Sequence, residues 1–114
     1  MSIQNLTRQT METQESLGER LRNLRQARNE PLRVVAAAIE VDSSLLSKIE
    51  HNDRLPTDLQ LQRLASYYDI PLEELTAYAI AEKIVMSYTS NPATLRALRI
   101  AEARINAYLG NDYE

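Results

Sequence analysis

Residues 45–57 read LLSKIEHNDRLPT, and their pattern is the clearest structural signal in the chain. Leu46 and Ile49 recur at helical spacing on one face, whereas small polar side chains occupy the opposite face of the same short segment. Asp42 and Ser43 are the N-cap candidates before the segment, and Pro56 breaks the helical pattern after it. The stretch therefore predicts a short amphipathic helix with a small, polar outer face, followed by a turn.

Helical patterns continue on both sides of this segment. Leu, Ala, Arg, Glu and Gln dominate the chain, which has two Gly and neither Phe nor Trp, and no hairpin signal occurs. Ser16 and Asp58 are the N-cap candidates for the first and fourth helices. We predict an all-α fold with helices over about 17–29, 32–39, 43–51, 58–68, 71–88 and 93–109, the last ended by Gly110.

Composition excludes several classes of protein. The 114 residues carry a net charge of -3, which rules out a uniformly basic coating for nucleic acid, and the absence of Cys rules out disulfides and thiolate chemistry. The charge is uneven, because residues 17–70 hold eight basic and eight acidic side chains and the excess acid lies outside them. The longest purely apolar run, 34–39, is too short to span a bilayer. We expect a cytoplasmic protein without a cofactor or a metal.

The amino-acid sequences of three consecutive segments point to a family. LGERLRNLRQAR at 17–28, the stretch at 45–57 and LQRLASYYDIPLEEL at 61–75 together resemble the Cro and lambda-repressor type of helix-turn-helix protein, also called the XRE family. The resemblance implies a five-helix DNA-binding domain over 16–77, between a flexible arm at 1–15 and a helical extension at 78–110. It also implies a transcriptional regulator, commonly a repressor, that binds near-palindromic double-stranded DNA as a two-fold dimer.

Carried onto this chain, the resemblance assigns the DNA contacts to the helix at 43–51 and its surroundings. The candidates for reading bases are Ser43, Ser44, Ser47 and Lys48. The candidates for holding phosphates are Leu32 through its backbone N–H, Arg33, His51, Asn52 and Arg54. Arg25 and Glu50 fall where family members place an ion pair between the first helix and the recognition helix. Two positions depart from the family pattern, because Glu40 replaces the usual turn Gly and Leu32 replaces a Gln.

The C-terminal extension carries more apolar surface than the DNA-binding domain needs. Its candidate dimer-interface residues are Ile80, Ile84, Tyr88, Leu98, Ala101 and Ile105, and packing of these residues within one chain stays open. The alternative function is an antitoxin or adaptor that binds a protein partner through these helices, or a controller of a restriction-modification system. An enzyme is not expected, since one His and no Cys leave no catalytic constellation to assemble.

Overall fold

The computed structural model describes residues 15–112, which form helices and no strand. The all-α prediction is therefore confirmed for this range. The six helices are α1 (Leu17–Ala27), α2 (Leu32–Ala38), α3 (Ser43–Glu50), α4 (Asp58–Tyr68), α5 (Leu72–Tyr88) and α6 (Thr94–Asp112). The predicted flexible arm lies outside the described residues, except for Glu15.

The chain divides into two compact units, one up to Lys83 and one from Ile84. The sequence-based division placed the start of the extension at residue 78. The buried apolar core belongs to the first unit and is built from α1 to α5. Its members are Leu17, Leu21, Val35, Ala36, Ile39, Leu46, Ile49, Leu61, Leu64, Ala65, Tyr68, Leu75 and Ala79. They recur three or four residues apart, so each helix turns one apolar stripe inward.

Side chains cap the starts of α1, α3 and α4. The Ser16 hydroxyl accepts the Glu19 N–H at 3.1 Å, as the sequence predicts. The cap of α4 was predicted at Asp58 but lies at Thr57. Thr57 Oγ1 accepts the Gln60 N–H at 3.2 Å, and Gln60 Oε1 accepts the Thr57 N–H at 2.9 Å. This reciprocal pair satisfies two backbone donors, which a single carboxylate cap at Asp58 would not do.

Four residues with left-handed backbone end the first four helices, and none is Gly. They are Asn29, Glu40, Asn52 and Asp69, with φ between 54° and 62°. At the end of α2, the Val41 N–H donates to the Ala36 carbonyl at 2.9 Å, and the Glu40 N–H donates to the Ala37 carbonyl at 3.2 Å. This is the Schellman arrangement, which satisfies carbonyls that a helix end leaves open. The sharp turns between short helices thus rely on Asn, Asp and Glu.

The second unit contains the end of α5 and the whole of α6. The predicted end of α6 at Leu109 was wrong, because the helix continues through Gly110 to Asp112. Gly110 lacks a positive φ and so does not act as a C-cap. Every side chain from Leu95 to Leu109 is exposed.

Candidate nucleic-acid interface

Helix α3 presents one polar face to solvent and buries the other. Ser43, Ser44 and Lys48 are exposed and Ser47 is half-buried, whereas Leu46 and Ile49 are 0% and 1% exposed. The four candidates for reading bases therefore share one helix face, and the buried leucine and isoleucine hold the opposite face in the core. This arrangement leaves a surface of short side chains that a flat or grooved partner can approach closely.

Both ends of α3 are closed by side chains. Asp42 is the N-cap, and its carboxylate accepts the Leu45 N–H at 2.7 Å. His51 is the C-cap, and its Nδ1 lies 2.7 Å from the Ser47 carbonyl oxygen. A ring nitrogen that faces a carbonyl must carry its hydrogen, so Nδ1 is the donor and Nε2 remains for an outside partner. The exposed imidazole lies one turn beyond Ser47, on the same polar face.

An ion pair joins α1 to the end of α3, where the sequence predicts one. Arg25 Nε donates to Glu50 Oε2 at 2.9 Å and Arg25 Nη2 donates to Oε1 at 3.0 Å, so the pair is bidentate. The Glu50 side chain is 2% exposed and that of Arg25 is 14% exposed. The hydrogen bond to Glu50 raises the pKa of Arg25, against the lowering effect of burial. The third guanidinium nitrogen donates to the Glu30 carbonyl at 3.0 Å, which extends the link to the α1–α2 turn.

A second link between α1 and α3 was not predicted. The Gly18 N–H donates to Asn52 Oδ1 at 2.9 Å, and Asn52 Nδ2 donates to the Ser16 hydroxyl at 2.8 Å. A Cβ on Gly18 would lie 2.3 Å from the Glu50 carbonyl oxygen, so only glycine permits this approach. The Asn52 side chain, predicted to hold a phosphate, is thus committed inside the protein. The available signal was Gly18 itself, because a glycine early in a helix costs stability and needs a packing reason.

The turn before α3 is braced by α4. Glu40 has a φ of 62° where the family pattern has Gly, and its carboxylate lies 2.8 Å from Nη2 of Arg63. Arg63 Nη1 also reaches the Ile39 carbonyl at 3.4 Å. Sequence reasoning did not assign a role to Arg63, because its partners are 23 and 24 residues away along the chain and only folding brings them together.

The remaining phosphate candidates lie beside α3 in the chain. Arg33 is exposed in the first turn of α2, and Arg54 is exposed in the turn after α3. Leu32 is half-buried at the start of α2, whose N-cap Pro31 makes no side-chain hydrogen bond to the helix. Both guanidinium groups are therefore exposed on segments that border the polar face.

An aromatic cluster closes the ends of α1 and α4. The Arg28 guanidinium lies 5.5 Å and 5.3 Å from the ring centroids of Tyr67 and Tyr68, and its Nη1 donates to the Tyr67 carbonyl at 3.0 Å. The Tyr67 hydroxyl donates to Glu30, and this hydrogen bond raises the pKa of Tyr67. Burial raises the pKa of Tyr68. Tyr67 thus acts as a packing and hydrogen-bonding residue, and the Tyr68 ring packs in the core.

Polar contacts attach α5 to α1 inside the first unit. Arg20 Nη2 lies 3.2 Å from Glu74 Oε1, and the Tyr78 hydroxyl donates to Glu15 at 3.1 Å. Of the predicted interface residues, Ile80 is 54% exposed near the end of this unit. The others lie in the second unit, where Ile84 is half-buried and Tyr88, Leu98, Ala101 and Ile105 are exposed.

Neither a metal-ligand cluster nor a membrane-spanning helix occurs among the described residues. From 15 to 112, no cluster of three or more His, Cys, Asp or Glu side chains is placed to hold a metal ion. In the same part of the chain, none of the helices combines the length and the apolar character needed to cross a membrane.

Comparison with known protein families places a match over the first unit. A sequence profile of the family described as "Helix-turn-helix domain" matches residues 16–78, which is more than half of the chain and contains α1 to α4. No curated protein and no solved structure showed a significant match.

Proposed function

Because the chain belongs to the helix-turn-helix domain family, we propose that it is a sequence-specific regulator of transcription that binds double-stranded DNA with α3. The observation that carries this proposal is the polar outer face of α3, with its opposite face held in the core and its C-terminal end tied to α1. An α-helix fits the major groove of B-DNA, where each base pair shows a distinct pattern of donors and acceptors.

The side chains on α3 divide the work of recognition. Ser43, Ser44 and Ser47 are short, so the helix backbone can come close to the base edges. Hydroxyl groups donate or accept and therefore discriminate weakly between bases. Lys48 is the one long donor among the four, and its ammonium group matches the two acceptors that guanine shows in the major groove. We assign the strongest base preference to Lys48.

Phosphate contacts set the position of α3 in the groove. Arg33 and Arg54 are exposed and charged, and each phosphate that they neutralise makes binding more sensitive to salt. His51 has its Nδ1 hydrogen committed to Ser47, so it donates to a phosphate only when Nε2 is also protonated. Asn52 contributes through the position of α3, because its amide already binds Gly18 and Ser16.

We also propose that the regulator is a homodimer on a near-palindromic operator. The supporting observation is α6, whose side chains from Leu95 to Leu109 are all exposed although many are apolar. An isolated helix is marginally stable in water, and its apolar side chains gain free energy when a partner covers them. Two linked DNA-binding domains also raise the affinity for DNA by binding two half-sites at once. A dimer that occupies an operator excludes other proteins from it, so we assign repression as the outcome.

The test is selection of bound DNA from a random pool, followed by repetition with Ser44→Ala and Lys48→Ala. We expect the parent chain to enrich a near-palindromic site, in which each mismatched base pair weakens binding by about 1–3 kcal/mol. Each variant should lose its base preference at symmetric positions of that site. Ser66→Ala and Lys83→Ala are matched controls, because both residues are exposed and lie outside α3. Unchanged base preference in both α3 variants would contradict the assignment of α3.

A further inference from the structure

Between residues 97 and 109, helix α6 carries an uncharged stripe along one side. Over this range the 100° step of an α-helix places six residues within an arc of about 120°, between Glu102 at one edge and Arg104 at the other. The stripe consists of Ala97, Leu98, Ala101, Ile105, Tyr108 and Leu109. Leu98, Ile105, Tyr108 and Leu109 are 40%, 58%, 67% and 47% exposed, so large apolar groups remain open to solvent along its length.

The order of residues in the stripe is symmetric about position 103. Ala101 and Ile105 lie two residues on either side of it, Leu98 and Tyr108 lie five, and Ala97 and Leu109 lie six. Ala97 and Ala101 lie in the N-terminal half of the stripe, and the residues at the matching positions of its C-terminal half are large. A second α6 that runs in the opposite direction therefore sets each alanine against an isoleucine or a leucine. In a parallel pair, alanine meets alanine and leaves gaps, which costs packing contacts.

We propose that a second copy of the chain docks on this stripe with the two α6 helices antiparallel and the two-fold axis near residue 103. This arrangement is isologous, because Ala101 of one copy packs on Ile105 of its partner and the reverse contact follows from symmetry. The inference rests on the proposed dimer and specifies its register.

A crevice in the second unit fits the same arrangement. Its volume is about 320 Å³, and it is lined by Ile84 and Tyr88 of α5 and, among others, by Ala97, Leu98 and Ala101 of α6. The alanines thus form the floor of an apolar recess and the α5 residues form a wall. In the antiparallel register, the large residues of the partner's C-terminal half enter this recess.

The exposed area reaches the lower end of what a specific interface buries. Side chains of these sizes and exposures, together with Tyr88, offer roughly 600 Å² per copy, close to the ~800 Å² per partner of an ordinary stable interface. The same chain supplies both surfaces, and between residues 97 and 109 no charged residue falls within the stripe.

Disulfide trapping tests the register, because the chain has no Cys of its own and each introduced thiol is the only one. In the antiparallel pair, residue 97 lies beside residue 109 of the partner. Two copies of residue 97 are then about 18 Å apart along the axis, far beyond the ~7 Å limit between the Cα atoms of a disulfide. We expect Ala97→Cys and Leu109→Cys to give little cross-linked dimer alone, and to cross-link efficiently when they are mixed before oxidation. Ala103→Cys, on the opposite side of α6, measures how much cross-linking arises from random collisions between copies.

Light scattering on the same reduced variants separates the two proposals. Dimers with efficient cross-linking of each single variant would overturn the antiparallel register in favour of a parallel one. Dimers without cross-links in the mixture would show that another surface is used. Monomers at micromolar concentration, with and without DNA, would instead contradict the proposed dimer itself.

Discussion

At the scale of a single residue, Glu40 is the point where this chain departs from the usual helix-turn-helix pattern. Its φ of 62° is a conformation in which a Cβ is crowded and glycine is not. Arg63 partly offsets this, because its guanidinium binds the Glu40 carboxylate, although that carboxylate is largely exposed and an exposed pair contributes less than about 1 kcal/mol.

We predict that Glu40→Gly is more stable than Glu40→Ala by about 1 kcal/mol, because both variants lose the ion pair and only glycine relieves the backbone. The measurement is urea unfolding at a fixed pH. Ala37→Gly serves as a control of opposite sign, since Ala37 is exposed within α2 and glycine should destabilise there by about 0.5–1 kcal/mol. Equal stability of the two Glu40 variants would show that the turn is not strained.

At the scale of elements, the position of α3 is set by its attachment to α1. The bidentate pair between Arg25 and Glu50 is nearly buried, so its charges are costly to hold unless both are present. The hydrogen bonds from Asn52 to Gly18 and Ser16 add a neutral link at the same end of α3. Helix α3 therefore has its C-terminal end fixed, while its polar face stays open.

We predict that Arg25→Met and Glu50→Leu each destabilise the protein by roughly 3 kcal/mol, because each leaves an unpaired charge in a buried site. The double variant should lose much less than the sum of the two, since no charge remains there. A double-mutant cycle of urea unfolding measures the coupling. Arg20→Met and Glu74→Leu form the control pair, because that ion pair is more exposed and should couple by less than about 1 kcal/mol. Additive effects for Arg25 and Glu50 would contradict the structural role.

At the largest scale, the proposed dimer ties DNA affinity to the association of two chains through α6. Two isoleucines of this helix allow a matched comparison. Ile105 lies on the uncharged stripe and is 58% exposed, whereas Ile100 lies outside it and is 54% exposed. A glutamate at either position changes the stability of the monomer little. Only a glutamate at position 105 would be buried between two copies.

We predict that Ile105→Glu shifts the protein to monomer and weakens binding to a two-half-site operator by at least about 100-fold, the usual gain from bivalence. Ile100→Glu should behave like the parent. The measurements are light scattering and fluorescence anisotropy at one salt concentration, with a single half-site as the second ligand. If both variants bind the full operator equally, the proposed interface is wrong.

Much of the molecule follows from local pattern. The helix periods, the Ser16 and Asp42 caps and the buried positions such as Leu46 depend on residues a few places apart, so the sequence predicts them well. The partnership of Arg25 and Glu50 was reached through family resemblance, because 25 residues separate them and no local rule joins them.

Local patterns predict that the chain is helical and that the outer face of α3 is small and polar, and family resemblance adds the helix-turn-helix unit. The packed helices were needed to show that Asn52 binds Gly18 and Ser16, that Arg63 pairs with Glu40 at the turn before α3, and that α6 leaves its apolar stripe uncovered. The physical reason is distance along the chain. Caps and periodicity are local, whereas a hydrogen bond between α1 and α3, or a bare helix face, exists only after the helices have packed.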